Sequence, residues 1–215
     1  MLGIPVRSIG VKVAHSVVPK AFVVDGVKHK YCLNTKEQAN TERIVELGYS
    51  YDFYNANKHD DFLEVGNVMC YYFNMPTTRD VIDKYEKAPG VINEDIVTFA
   101  PKKKYDLIIA ISTMEHVGFD APEEKDPGKS LAGMQRMMQM LKPGGKMLIT
   151  VPIGYNPSID AMIRENKVQF TKRSFVKRNS YANFWVQTDE ADALKRTYAI
   201  KYNAANAIAL LEYDA

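Results

Sequence analysis

The chain has 215 residues, of which 46% are hydrophobic and 25% are charged, with a net charge of +2. This is the composition of an ordinary globular protein with a sizeable core, organised as one domain or as one domain with an extension. The small net charge gives no electrostatic reason to expect nucleic acid or a membrane as partner.

The location of the protein is predicted from its N-terminal residues and its cysteines. The N-terminal residues have no long apolar core of the signal-peptide type, and no run in the chain approaches the length of a membrane span. The two cysteines, Cys32 and Cys70, form no metal or redox motif. We therefore expect a cytoplasmic protein in a reducing compartment, with no metal site.

The first 34 residues favour strands. Residues 11–18 are rich in valine, and residues 22–24 and 27–31 flank the dipeptide Asp25-Gly26. Because Asp-Gly tolerates positive φ at both positions, it predicts a hairpin closed by a two-residue turn.

A helix is predicted next, with Thr41 as its cap. Its apolar residues fall near one face at helical spacing: Ile44, Val45, Leu47 and Tyr51. The hairpin and this helix form a β-rich N-terminal arm, residues 1–58, which we expect to pack on a main domain of residues 59–215.

The main domain is predicted to alternate strands and helices. It begins with a buried strand that contains Phe62, Leu63 and Val65 and carries an acid, Glu64, followed by a turn at Gly66 that leads into a helix. Further strands are predicted at residues 80–83, 105–112, 146–152, 184–186 and 207–213, and residues 90–97 are predicted to be a strand or an extended loop. Helices are predicted from residue 126, with an apolar stripe of Leu131, Met134, Met138 and Leu141, and at residues 157–166. This order predicts an α/β fold with a doubly wound, mostly parallel, Rossmann-like sheet.

In a doubly wound sheet, ligands bind outside the carboxyl ends of the strands, where the strand order reverses. The glycine turn at Gly66 allows a ligand to approach backbone amides, and Asp83, which ends the second strand, can accept hydrogen bonds from two hydroxyl groups. This pair of features is typical of a nucleoside site.

Five segments in order resemble the successive motifs of class I S-adenosylmethionine-dependent methyltransferases, with an altered glycine-rich motif. They are residues 63–66 (LEVG), 81–83 (VID), 94–96 (EDI), 105–117 (YDLI through MEHV) and 141–146 (LKPGGK). The resemblance covers about residues 60–155. It implies the class I methyltransferase fold, S-adenosylmethionine as cofactor and a transferase of one-carbon groups.

The resemblance assigns the methionine and ribose ends of the cofactor to the first two strands. Glu64 is expected to hold the methionine end, directly or through water. The backbone at Gly66 and Asn67 is expected to lie beneath that end. Asp83 is expected to bind the ribose hydroxyls.

The same resemblance assigns the adenine and the region beneath the sulfur to the later strands. Asp95 and Ile96 are expected at the adenine, with the acid accepting from its amino group. Ser112 and Thr113 are expected to pass under the methionine moiety.

The resemblance also implies that Glu115 and His116 face the substrate mouth, and these are the candidate catalytic residues. A histidine there can act as general base for a hydroxyl or an amine, and it can equally cap the next segment or bond a neighbouring loop. Tyr155 and Asn156, after the fifth strand, are further candidates for contact with a polar acceptor.

One departure from the family concerns the glycine-rich turn. Where the family has glycines at alternate positions, this chain has Gly66, Val68 and Cys70. Either the loop is reshaped and still binds the cofactor, or the site has lost its ligand.

The leading hypothesis is therefore a methyltransferase that acts on a small-molecule or sugar-like acceptor at O or N. The alternative is a catalytically inactive methyltransferase-like module for binding or assembly. The tetrad with which related enzymes hold a nucleobase is absent, which argues against nucleic acid. The lack of G-x-G-x-x-G after any strand argues against a nicotinamide dehydrogenase. The sequence predicts no membrane contact and leaves the oligomeric state open.

Overall fold

The computed structural model describes residues 20–33, 40–122 and 125–215, so the predicted strand at 11–18 lies outside the described residues. The strands are β1 (Ala21–Val24), β2 (Val27–Lys30), β3 (Phe62–Val65), β4 (Asp80–Ile82), β5 (Val91–Ile92), β6 (Tyr105–Ile111), β7 (Leu141–Pro152), β8 (Lys172–Arg178), β9 (Trp185–Thr188) and β10 (Ala207–Asp214). The α-helices are α1 (Arg43–Asn57), α2 (Lys129–Gln139), α3 (Pro157–Arg164) and α4 (Glu190–Ala193). None of these helices is long and apolar enough to cross a bilayer.

Eight strands form one sheet in the order β5-β4-β3-β6-β7-β10-β8-β9. The five strands from β5 to β7 are parallel. Strand β10 runs antiparallel to both β7 and β8, and β9 is antiparallel to β8. The chain moves outward from β3 to β5 and then returns to place β6 on the other side of β3. The order therefore reverses between β3 and β6, which is where such sheets bind ligands.

The central strands are buried on both faces, as a doubly wound sheet requires. On β6, Leu107 and Ile109 pack in a cluster with Ile44 of α1, whereas Ile108 and Ala110 pack in a cluster with Met134 of α2. Helices thus cover both faces. The predicted fold class, a mostly parallel Rossmann-like sheet with a β-rich N-terminal hairpin, is confirmed.

The predicted hairpin is also confirmed. Strands β1 and β2 pair antiparallel, and the turn residues Asp25 and Gly26 have φ values of 50° and 79°. The Asp25 carboxylate accepts a hydrogen bond from Ser174 of β8, which ties the turn to the main sheet. The division of the chain at residue 58 stays a prediction. Side chains of the hairpin and of α1 share a core cluster with Phe62 of β3, so the residues before and after this boundary pack into one core.

Helix α1 is confirmed, and its N-terminus differs in detail from the prediction. Ile44, Val45 and Leu47 are fully buried. Thr41 Oγ1 accepts a hydrogen bond from the Arg43 amide at 3.3 Å, while the N-cap position itself is Glu42, whose side chain makes no cap bond.

The α-helix predicted directly after Gly66 is wrong. A single 3₁₀ turn, Met69–Tyr71, stands in its place, and an irregular segment leads to β4. Pro76, which cannot donate a backbone hydrogen bond, follows within this segment and disfavours a longer helix.

Two further differences concern the second half of the chain. Strand β8 was not predicted, since four of its seven residues are Lys or Arg. In α2, the deeply buried methionines are Met134 and Met137, while Leu131 and Met138 are half-buried and Leu141 already belongs to β7.

Candidate functional site

A cavity of about 790 Å³ opens at the carboxyl ends of β3, β4 and β6, with the segment after β5 on one side. This size lies within the usual range of small-molecule sites. Eight residues that were predicted at the cofactor site or the acceptor site line it: Gly66, Asn67, Asp83, Asp95, Ile96, Ser112, Thr113 and His116. Glu64 and Glu115 are not part of its lining.

Gly66 forms the turn that ends β3. Its φ is +83°, and its amide donates to the Ile82 carbonyl at 2.8 Å. A Cβ at this position would lie 2.2 Å from Oγ1 of Thr113. Both the backbone conformation and the space therefore require glycine, as the sequence predicts.

Glu64 organises the turn from beneath. Its side chain is buried, and Oε1 accepts hydrogen bonds from the amides of Val68 at 2.8 Å and Met69 at 2.5 Å. Its Oε2 pairs with Nε of Arg79 at 3.0 Å. Burial raises the pKa of Glu64, against the lowering effect of the Met69 amide and Arg79. In this structure Glu64 shapes the loop that borders the cavity, and direct contact with a ligand stays a prediction.

The two positions that depart from the family pattern lie in different surroundings. Val68 lines the cavity without closing it, whereas Cys70 is an exposed free cysteine outside the lining. Sγ of Cys70 donates to Oδ1 of Asn67 at 3.0 Å, and Nδ2 of Asn67 donates to Glu86 at 2.6 Å. The loop after β3 is thus linked through Asn67 to the loop after β4.

Asp83 is held by the loop that follows β4. A single carboxylate oxygen, Oδ1, accepts hydrogen bonds from the amides of Tyr85 at 2.9 Å and Glu86 at 2.8 Å. Side chains of this type fix a turn by bonding the backbone two or three residues ahead. Since both bonds use Oδ1, they orient the carboxylate in the cavity wall without engaging Oδ2.

Asp95 lies in a cluster of charges that the sequence reasoning missed. Its Oδ2 is 3.2 Å from Nζ of Lys84 and 2.7 Å from Nζ of Lys129, and both lysines line the cavity. Burial opposes ionisation, but the bonds from Lys129, the Val97 amide and Lys84 hold the pKa of Asp95 below its usual value. A ligand amino group at Asp95 would share the carboxylate with two ammonium groups.

Ser112 ends β6 in a strained backbone conformation, with a φ of +41° that is unusual for a residue with a side chain. Its amide donates to the Thr150 carbonyl at 3.0 Å, and its hydroxyl donates to Oε1 of Glu46 at 2.5 Å. Glu46, from α1, is fully buried and also accepts from the Thr150 hydroxyl at 2.9 Å. Strained residues held in this way cluster at functional sites.

His116 lies at one end of the cavity, between two acids. Its Nδ1 is 2.5 Å from Oδ2 of Asp120, and its Nε2 is 3.6 Å from Oε1 of Glu115. The hydroxyl of Tyr155 lies 3.0 and 3.1 Å from the two carboxylate oxygens of Asp120. Asn156 donates from Nδ2 to the Glu115 carbonyl at 2.8 Å and caps α3 with its Oδ1, so it holds this region together without lining the cavity.

Glu115 is buried to 2% exposure, and its Oε2 has no hydrogen-bond partner among the described residues. Burial raises the pKa of Glu115 well above its usual range, and the neighbouring Glu46 adds to this effect. Glu46, Asp120, Lys84 and Lys129 are the site-region residues that sequence reasoning missed. In the sequence each of them is simply a charged residue in or near a predicted helix or beyond a strand end, and such residues are usually solvated.

No family model matches the chain, and no curated protein matches it. Among solved structures, it is similar to the N-methyltransferase NodS from Bradyrhizobium japonicum WM9 in complex with S-adenosyl-L-homocysteine: 13% identity, covering 85% of this chain and 89% of that chain, with a TM-score of 0.49. It is also similar to an rRNA methylase from Streptococcus thermophilus (14% identity, 78% and 96% covered, TM-score 0.43). A third is an S-adenosylmethionine-dependent methyltransferase from Clostridium acetobutylicum (13% identity, 78% and 89% covered, TM-score 0.40).

The fold of the chain is that of the class I methyltransferases. Its sheet has the strand order of that fold, with five parallel strands, the reversal between β3 and β6, and the antiparallel β10 inserted between β7 and β8. Within the part of the chain that the structure describes, no group of three or more His, Cys, Asp or Glu side chains is placed to hold a metal ion.

The residues present fit a nucleoside-type cofactor. The Gly66 backbone forms part of the cavity wall without a side chain, and Asp83 stands beside it at the end of the neighbouring strand. Ile82, Ile96 and Val117 supply apolar surface for a base.

Proposed function

We propose that the protein is an S-adenosylmethionine-dependent methyltransferase. The observation that carries the proposal is the convergence of four chain segments on one cavity at the point where the strand order reverses. Those segments, after β3, β4, β5 and β6, are the four in which the sequence resembles the cofactor motifs of class I methyltransferases.

The cofactor supplies an activated methyl group on a sulfonium, so the protein's task is to position the reactants and manage one proton. The amide region at Gly66 and Asn67 would hold the methionine end, Asp83 would accept the ribose hydroxyls, and Ile96 would pack on the base. Ser112 and Thr113 would form the floor beneath the reacting centre.

We propose a small-molecule or sugar-like acceptor that is methylated at O or N. His116 lies at one end of the cavity and its imidazole is partly exposed, which suits a general base that receives a proton from the acceptor. Glu115, buried beside it, would influence that proton transfer through its charge state.

The alternative, a catalytically inactive module that binds a partner, has its own supporting observations. Asp95, which would accept from the adenine amino group, already pairs with Lys84 and Lys129. Val68, at a position where the family has glycine, lines the cavity.

Calorimetry with S-adenosylmethionine and S-adenosylhomocysteine tests the proposal. We expect both ligands to bind the unaltered protein, and we expect Asp83→Ala to abolish binding. Asp60→Ala is a matched control, since Asp60 is exposed and precedes β3 at the opposite edge of the sheet. Absence of binding at about millimolar ligand would exclude the methyltransferase and favour the inactive module. Equal loss in both variants would show that the effect of Asp83→Ala is not local.

A further inference from the structure

Asp120 links two side chains at the end of the cavity and was assigned no role from the sequence. Its Oδ2 lies 2.5 Å from Nδ1 of His116. Both of its carboxylate oxygens lie within 3.1 Å of the Tyr155 hydroxyl. The rings of His116 and Tyr155 also meet edge to face, with their centroids 5.1 Å apart. The imidazole is therefore held both by a hydrogen bond and by ring packing.

The hydrogen-bond roles in this cluster follow from the chemistry of its groups. An ionised carboxylate only accepts hydrogen bonds, so a neutral imidazole bonded to it through Nδ1 must carry its proton there. The phenol can donate only while it keeps its proton. Burial and the bond to Asp120 raise the pKa of Tyr155 to about 12, so the phenol stays protonated across the physiological range.

The competing partner of the imidazole is Glu115, on the other side of the ring. Its Oε1 is 3.6 Å from Nε2, which is too long for a hydrogen bond, whereas the Nδ1 contact with Asp120 is 2.5 Å. Burial favours the neutral form of the Glu115 carboxyl, and a neutral carboxyl does not require an N–H donor. The shorter contact, with the more exposed Asp120, therefore favours the imidazole proton on Nδ1.

We infer that Asp120 is a positioning residue which, with Tyr155, holds His116 in the tautomer protonated at Nδ1 and leaves Nε2 free to accept a proton from the methyl acceptor. This inference deepens the proposed function and rests on it for its catalytic meaning. In the proposed reaction the acceptor's X–H bond would break and its electron pair would form the new bond to the methyl group, while the electron pair of the broken S–CH₃ bond would go to sulfur. The proton would go to Nε2, which requires an acceptor with a removable proton, as the proposed hydroxyl or amine has.

The tautomer can be observed directly by NMR of protein labelled with ¹⁵N in histidine, without cofactor or acceptor. The chain has four histidines, and the signals of His116 are assigned by their loss in His116→Gln. Spectra are recorded with the imidazoles in their neutral form. We expect the Nδ1–H tautomer of His116 to dominate by about tenfold or more, the ratio that a charge-assisted hydrogen bond supports.

Asp120→Asn is the decisive variant. Because the asparagine side chain can present an N–H toward Nδ1, we expect the proton of His116 to move to Nε2. The pair His29–Asp52 provides a matched control, since Nδ1 of His29 lies 2.9 Å from Oδ2 of Asp52 and neither residue lines the cavity. Asp52→Asn should alter the signals of His29 and leave those of His116 unchanged. Tyr155→Phe removes the hydroxyl and should weaken, without inverting, the preference.

Acylation by diethyl pyrocarbonate gives a second measurement, because only an imidazole nitrogen with a free electron pair reacts. Mass spectrometry of the peptide that contains His116 should show modification in the unaltered protein. In Asp120→Asn the Nε2 electron pair is taken up by the proton, so the acylation rate should fall by about tenfold or more, in line with the tautomer ratio. The peptide that contains His29 serves as internal reference.

The inference is overturned if His116 carries its proton at Nε2 in the unaltered protein, or if Asp120→Asn changes neither the tautomer nor the acylation rate. Failure of the proposed function is read separately, from the calorimetry of cofactor binding, so the two failures are distinguishable.

Discussion

Replacing Gly66 with alanine is predicted to destabilise the protein through two separable effects. The φ of +83° costs an L-residue about 1–2 kcal/mol. The added Cβ would lie 2.2 Å from Oγ1 and 3.0 Å from Cγ2 of Thr113, so Thr113 or the turn must move, at a cost of about 1–3 kcal/mol. The sum is about 2–5 kcal/mol in the free energy of unfolding.

Gly144→Ala is the matched control for the backbone effect. Gly144 has a φ of +79°, and a Cβ added there would meet no atom within 4 Å in the part of the chain that the structure describes, its own chain neighbours apart. It lies in β7, in the irregular stretch between Leu141 and Lys146 where the pairing with β6 shifts register. Its replacement should therefore cost only about 1–2 kcal/mol and leave cofactor binding unchanged. The difference between the two variants isolates the contact with Thr113.

A second variant, Thr113→Ala, removes the two atoms that lie nearest to the added Cβ. In the background of this change, the cost of Gly66→Ala should fall to that of the control, which gives a coupling energy of about 1–3 kcal/mol. Urea unfolding measures the stabilities, and calorimetry with S-adenosylhomocysteine should show binding to Gly66→Ala weakened about tenfold or more. Equal stability losses in Gly66→Ala and Gly144→Ala, or no coupling to Thr113, would refute the reasoning.

Three further predictions concern other parts of the structure. Glu46→Ala should lower the free energy of unfolding by about 3 kcal/mol, because it removes the buried carboxylate that pairs with Arg43 at 3.5 Å and accepts from the Ser112 hydroxyl. A loss below about 1 kcal/mol in urea titrations would contradict this. Hydrogen bonds, led by that from Lys177, lower the pKa of Asp192 well below its unfolded value of 3.8. The contribution of Asp192 to folding stability is therefore present above that pH and is lost as the pH falls below it. The difference in free energy of unfolding between the protein and Asp192→Asn should shrink between pH 7 and pH 3. Iodoacetamide should label the exposed Cys70 in the folded protein and the buried Cys32 only on unfolding, as read by mass spectrometry, and labelling of Cys32 in the native state would show an opening of the core that its packing does not allow.

The fold class could be predicted from the sequence because strands buried on both faces need continuous apolar runs, and those runs are visible without the structure. Strand β8 shows where this signal ends. Its Lys172 and Lys177 pair with Asp25 of the hairpin turn and Asp192 of α4, so charges that look incompatible with a central strand are neutralised by distant elements. The buried run at its centre, SFV, is too short to be recognised as a strand from the sequence.

The sequence by itself determined the order of chemical groups along the sheet edge: Gly66 after the first parallel strand, Asp83 after the second and Ser112 after the fourth. Parallel strands bring their carboxyl ends to one edge, so local pattern was sufficient to predict that these residues meet. Only the tertiary structure decided that Glu46 supports Ser112 and that Asp120 holds His116. A charged side chain on a helix or in a loop has the same local sequence whether it faces solvent or a buried partner, and only the packing of its element against the sheet distinguishes the two.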